Sequence, residues 1–157
     1  MKISLLAVGK LAPGPLRELL EMYAGRLVHY VPFEHVAIPD VKNVRAITSE
    51  QQKQAEGRAL LDNIKPSDFV ILLDERGRQY TSRELSEMLR RKANTLSGRL
   101  VIVVGGPYGF SKDVYDRADG LLSLSKMTFP HEVARMLIVE QLYRAMTIQR
   151  GEPYHHD

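Results

Sequence analysis

The sequence predicts an α/β protein with a mostly parallel sheet covered by helices on both faces. Three observations lead there. Apolar runs alternate with helical patterns in the order β-α-β-α-β-α-β-α-β-α. Most of those runs are continuous rather than alternating, as strands buried on both faces are. No repeat, low-complexity segment or linker interrupts the chain, so its 157 residues read as a single domain spanning 1–157.

The elements follow in order. Lys2–Val8 is mostly apolar and makes the first strand, which Gly9 ends. Pro13 and Pro15 stand where a helix begins, and Leu16, Leu19, Leu20, Tyr23 and Leu27 carry it at i, i+3, i+4 spacing to near His29. Phe33–Ile38 is the second strand, stopped by Pro39, and residues 40–47 form a loop. Thr48 and Gln51 form a capping box that opens a second helix, running to about Ile64. It is strongly polar, including Glu56, with only Ala55, Ala59, Leu60 and Ile64 as an apolar stripe, and it is expected on the surface. The third strand, Asp68–Asp74, ends in a polar turn from Glu75 to Arg78. Thr81 and Glu84 form a second capping box, for a helix to about Leu96 that Gly98 breaks. Leu100–Val104 is the fourth strand, Ser111 caps a short helix, and Gly120–Leu124 is the fifth strand. A helix from His131 to about Gln149 follows, and a tail ends the chain.

Composition narrows the function classes. Hydrophobic residues are 44% and charged residues 26% of the chain, the balance of a globular protein with a real core. A net charge of +3 permits a polyanionic partner without requiring one. There is no cysteine, which removes disulfides and thiolate chemistry. No apolar run approaches the roughly 18 residues of a membrane span. The opening apolar run is too short for a signal-peptide core, so the expected location is the cytoplasm, with no membrane partner.

In parallel α/β sheets, ligands bind beyond the carboxyl ends of the strands. Those ends are Leu73–Asp74, Val104–Gly105 and Leu124–Ser125. The glycine loop from Gly105 to Gly109 lacks the dinucleotide spacing and is either a tight turn or a ligand loop. The stretch from Ser123 to Pro130 mixes hydroxyls and Lys126 with Met127 and Phe129. It is either an ordinary loop or a surface for a flat heteroaromatic ligand held by backbone groups. The last helix is apolar all round, so it is either a central core helix or a helix shared with a second copy. Glu140 and Arg144 are spaced to pair, and Arg135 and Arg144 on so apolar a helix call for a carboxylate or an anionic ligand. Between Glu75 and Arg99 lie seven Lys/Arg and three acids, a balance of 7 − 3 = +4. That stretch is either a solvated helix face or a phosphate-backbone footprint. The terminal Tyr154, His155 and His156 lack the partners a metal site needs.

Three motifs then carry a family resemblance: VVGGPYGF, LSLSKMTFPHEVARMLIVEQLYRA and RGEPYHH. They resemble the ribosomal RNA large subunit methyltransferase H family, of the SPOUT class of S-adenosylmethionine-dependent methyltransferases. The resemblance covers the whole chain, including its start, MKISLLAVGK. It implies a C-terminal trefoil knot, over about residues 70–157, that periodicity alone would not suggest. It implies a homodimer that methylates N3 of a pseudouridine in 23S rRNA on the assembled ribosome, with S-adenosylmethionine as donor and no metal. By this resemblance the donor contacts Leu73, Gly105, and the loop of Leu124, Ser125, Lys126, Met127, Thr128 and Phe129. Tyr154 and His155 belong to the part that reaches the partner's pocket. Arg144 is expected to stabilise the imide anion, with His155 as the candidate base and His131 in reserve. A non-catalytic ribosome-associated RNA-binding protein using the same basic face is the rival reading.

Overall fold

The computed structural model describes residues 1–157. Five strands, β1 (Ile3–Val8), β2 (Phe33–Ile38), β3 (Phe69–Gln79), β4 (Leu100–Val104) and β5 (Gly120–Ser123), form one sheet in the order β2-β1-β4-β3-β5. Every strand pair is parallel. The helices are α1 (Pro15–Leu27), α2 (Ser49–Leu61), α3 (Ser82–Thr95), α4 (Lys112–Arg117) and α5 (His131–Gln149).

Successive side chains of the central strands point to opposite faces and sort the core into two halves. Ile3, Leu5 and Ala7 of β1 join Leu100, Ile102 and Val104 of β4 in a cluster packed by α1, α3 and α5. Leu6, Val8, Val101 and Val103 point the other way, into a smaller cluster with Leu60 of α2 and Val114 of α4. The continuous apolar runs are therefore two interleaved faces, each covered. Both capping boxes form, with Thr48 and Thr81 accepting the backbone N–H of Gln51 and Glu84. Ser111 caps α4 by accepting from Val114.

Two expectations are corrected. Residues 75–78 are not a turn. β3 bulges after Leu73 and resumes pairing with β5, so that Leu73 and Arg78 both stand opposite Leu122. The return is close. A Cβ at Gly77 would stand 2.6 Å from the Leu121 carbonyl carbon, so only glycine lets the strand re-enter there. The second concerns Glu56: helix α2 keeps an exposed outer face, as expected, but its inner face is not only the apolar stripe. Its inner face buries Leu60 together with Gly57 and Glu56, the last only 4% exposed. Smaller differences fall at element ends. α1 stops at Leu27, α2 at Leu61 and α3 at Thr95, and β5 stops at Ser123.

Candidate active site

The carboxyl ends of β3, β4 and β5 open into a cleft of about 630 Å³. Leu73, Gly105, Leu124, Ser125, Met127, Thr128, Phe129 and His131 line it, as expected from the sequence. Lys126, expected with them, is exposed and does not line it.

The loop after β5 is built for contact through its backbone. Ser123 Oγ donates to the Ser125 carbonyl at 2.9 Å, and Ser125 Oγ accepts the Met127 N–H at 3.0 Å. These side-chain bonds fold the loop on itself. Thr128 Oγ1 donates to Glu75 at 3.3 Å and ties the loop to the returning part of β3. None of the loop hydrogen bonds between backbone groups involves residues 124–129. Apart from the Ser125 carbonyl and the Met127 N–H, which the Ser123 and Ser125 side chains engage, their peptide donors and acceptors are thus available to a bound molecule, since backbone polar groups away from water need partners. Met127 is 75% and Tyr108 52% exposed. They are apolar surface at the cleft and beside it.

Two buried polar groups support the site from behind: Glu56, which the sequence did not single out, and Arg135, for which it pointed to a different partner. Glu56 lies under the glycine loop: a Cβ at Gly106 would stand 2.5 Å from its Oε2. Its Oε1 has no hydrogen-bond partner. Burial, with the nearby Asp40 carboxylate, pushes the Glu56 pKa up. Its place four residues before Leu60 on one helix face is the only sequence signal that could have revealed it. Arg135 is 1% exposed and meets neither expected partner. It donates to backbone carbonyls instead, to Gly9 at 2.7 Å and to Val8. The guanidinium thus clamps the end of β1 to α5. Asp74, at the bulge, is partly buried, which alone would raise its pKa. Hydrogen bonds from Arg76 and the Tyr115 hydroxyl outweigh that and hold it below the usual carboxylate value.

The candidate catalytic residues fall into two groups. His131 is in the cleft. Arg144 stands thirteen residues further along α5, about 20 Å at 1.5 Å per residue. There Arg144 binds Glu140 Oε1 through Nε at 3.1 Å and Nη2 at 2.6 Å, the i, i+4 pair expected. Its guanidinium lies 4.7 Å from the centre of the Tyr154 ring. Tyr154 donates to the same Glu140 oxygen at 2.8 Å. Burial and hydrogen bonds to Tyr23 and Glu140 push the phenol pKa far up, so it stays protonated. Arg144 Nη1 meets His155 Nδ1 at 3.2 Å, and His155 Nε2 meets Asp157 at 3.1 Å. Arginine only donates, so Nδ1 is the acceptor and Nε2 carries the proton. The Nδ1 lone pair is therefore engaged. Arg144, Tyr154 and His155 form one cluster, and none of them lines the cleft of the same chain.

Comparison with known proteins gives a consistent result. The family described as "Predicted SPOUT methyltransferase" matches residues 1–155. The chain is 50% identical to the ribosomal RNA large subunit methyltransferase H of Parabacteroides distasonis, over the full length of both. It is 51% identical to the enzyme of that name from Porphyromonas gingivalis, again over both full lengths. In fold it resembles a probable methyltransferase from Bordetella pertussis, with a TM-score of 0.55 at 14% identity, covering 92% of this chain and 96% of that one. A probable methylase family protein from Haemophilus influenzae gives 0.54 at 13%, covering 99% of this chain and 70% of that one. With a family match over nearly every residue and relatives half identical from end to end, the chain belongs to the SPOUT methyltransferase family.

Proposed function

We propose that this chain transfers a methyl group from S-adenosylmethionine to N3 of a pseudouridine in 23S rRNA, acting as a homodimer on the assembled ribosome in the cytoplasm. The observation that supports it best is the full-length likeness to the large-subunit rRNA methyltransferases, together with one cleft lined by Leu73, Gly105 and most of the loop after β5. The cleft suits the donor. It is large enough for a nucleoside with an amino-acid arm, and the peptide groups of residues 124–129 that the loop's own side chains leave unpaired can read an adenine. No helix is long and apolar enough to cross a membrane.

The donor, when bound, supplies an already activated methyl group. The difficulty lies at the acceptor, whose N3 carries a proton at neutral pH. A C–N bond forms as the S–C bond breaks, and the N3 proton must leave. Arg144 is the group suited to the resulting imide anion. Glu140 raises its pKa and fixes its plane by two bonds, and a fixed cation stabilises developing charge without reorganising. His155 orients that guanidinium through Nδ1. It serves as base only where the Arg144 contact opens, so His131, already in the cleft, is the other candidate to take the proton. Arg144 stands about 20 Å along α5 from His131, and His155 is hydrogen-bonded to Arg144, so in this reading both act in the cleft of a second copy. The half-buried outer positions of α5, among them Val133, Leu137 and Ile148, give that copy an apolar surface.

The test is methyl transfer from radiolabelled S-adenosylmethionine to ribosomes lacking the modification, with the label mapped to its nucleotide. Label on N3 of one pseudouridine is the expected result. Ribosome binding without label would overturn the reading and favour a binding protein. Arg144→Ala should lower the transfer rate about a hundredfold, the usual effect of losing a charge-stabilising group. A rate within twofold of wild type, with the dimer intact by light scattering, would remove Arg144 from the chemistry. Naked rRNA transcript is expected to be a poor substrate, because a domain of 157 residues offers little surface of its own with which to recognise a folded RNA. Equal rates on transcript and ribosome would contradict that.

A further inference from the structure

A second groove, of about 560 Å³, lies beside the cleft between α3 and the paired strands β3 and β5. Leu122 borders both cavities. The groove is floored by Phe69, Ile71 and Met88, with Tyr80 at one end. Its acids are already engaged. Glu87 accepts from Arg90 and Arg91, which hold its carboxyl at about 2. Glu84 accepts the Thr81 N–H at 2.8 Å, and Asp119 accepts the Val70 N–H at 2.8 Å.

The basic stretch from Glu75 to Arg99 resolves here into two kinds of cation. Arg76, Arg83, Arg90, Arg91 and Arg99 are each in a salt bridge with a carboxylate. Arg78 and Lys92 are in none, and both line the groove. Each instead stands over an aromatic ring of the same groove. The Arg78 guanidinium lies 4.5 Å from the Tyr80 ring centre, and Lys92 Nζ 3.9 Å from that of Phe69. Unpaired positive charge over aromatic and apolar walls matches a ligand that is planar and anionic together, as an unstacked nucleotide is. β5 is the last strand in the sheet order, and its Gly120, Leu121 and Leu122 border the same groove.

We infer that this groove holds one unstacked nucleotide of the rRNA substrate beside the one being methylated. Its base lies against Phe69, Met88 and Tyr80, and its phosphates meet Arg78 and Lys92. The inference rests on the methyltransferase reading for the identity of the RNA. Its geometry is independent of the cleft, apart from the shared wall at Leu122.

The test compares full-length wild type with Arg78→Gln/Lys92→Gln and with the charge-keeping Arg78→Lys/Lys92→Arg. The substrate is the ribosome lacking the modification. Methyl-transfer kinetics, calorimetric binding of S-adenosylmethionine and co-sedimentation with ribosomes at several salt concentrations are measured. The neutral variant should raise the KM for ribosomes about tenfold and flatten the salt dependence of co-sedimentation. Its kcat should stay within twofold, and its donor affinity should not change. The charge-keeping variant should recover most of the loss. Tyr80→Ala should also raise KM, by removing the stacking face without altering charge. An unchanged KM and unchanged co-sedimentation would overturn the inference. So would a shift in oligomeric state in place of a KM effect, since the groove would then belong to a second copy. If wild type binds ribosomes without transferring methyl, the methyltransferase reading fails, and the co-sedimentation ratio still judges the groove.

Discussion

Glu56 shows at the scale of one residue how a site can be held from outside its lining. The carboxyl is 96% buried (4% exposed), has one oxygen without a partner and sits where any side chain at Gly106 would be. Its pKa is raised, chiefly by burial. A raised carboxyl pKa means that the folded state binds the proton more tightly than the unfolded chain does. Its contribution is therefore fully favourable below the ordinary glutamate value of about 4.3 and is lost as pH rises through the folded value. Glu56→Gln removes that titration. The difference in melting temperature between variant and wild type should grow in the variant's favour from pH 4 to pH 8. A difference that is flat with pH would show that Glu56 does not titrate in this way. A second expectation concerns space. Gly106→Ala should weaken donor binding by about tenfold, and by less when Glu56 is also Ala, because the two side chains compete for one position and their effects should not add. Calorimetry on the three variants measures that coupling. None of this was legible from the residues alone. A glutamate in a polar helix reads as solvated, and only the close approach of the glycine loop from a distant strand makes it buried.

At the scale of elements, the sequence was legible wherever a signal was local. Both capping boxes, the Ser111 cap and the apolar strands β1 and β4 are set by neighbours within a few residues, and they appear where spacing placed them. The α3 cap is testable. Thr81→Ala should cost about 1 kcal/mol in urea unfolding, since the Glu84 N–H loses its acceptor at a helix start. A loss under a few tenths would mean that the cap is redundant with packing. The returning part of β3 was not legible. Glu75–Gln79 is polar and contains a glycine, which is turn chemistry, and its strand character comes from β5, more than forty residues away. That return matters to function, because it carries Arg78 and Tyr80 to the second groove and sets Glu75 against Thr128. The loop after β5 was legible as a candidate because its composition is odd for a connector. Lys126 was carried along by contiguity, and it is the one residue of that loop that does not line the cleft.

At the scale of the whole molecule, the expected donor-binding and catalytic residues split between two places that one chain does not join. Leu73, Gly105, Met127 and His131 share the cleft, while Arg144, Tyr154 and His155 cluster near the other end of α5. A two-fold dimer with each tail serving the opposite cleft would join them, and this arrangement can be tested without a structure of the dimer. One inactive variant carries the tail defect Arg144→Ala. The other carries a cleft defect, Gly105→Trp, which fills the space beside Phe110. In a mixed dimer, the intact cleft of the first chain faces the intact tail of the second, and the other site carries both defects. Random mixing makes half the dimers mixed with one good site in two, so activity should return to about a quarter of wild type. If each active site is built within one chain, every site in the mixture contains a defect, and activity stays at the level of the separate variants. Mixing must pass through dissociation, so the two variants are co-expressed with different tags and the doubly tagged dimer is purified. That dimer should then have about half the activity of wild type. Its inactivity, with the dimer intact and the donor still bound by the intact cleft, would place the chemistry within one chain and leave the Arg144–His155 cluster a structural clamp on the tail.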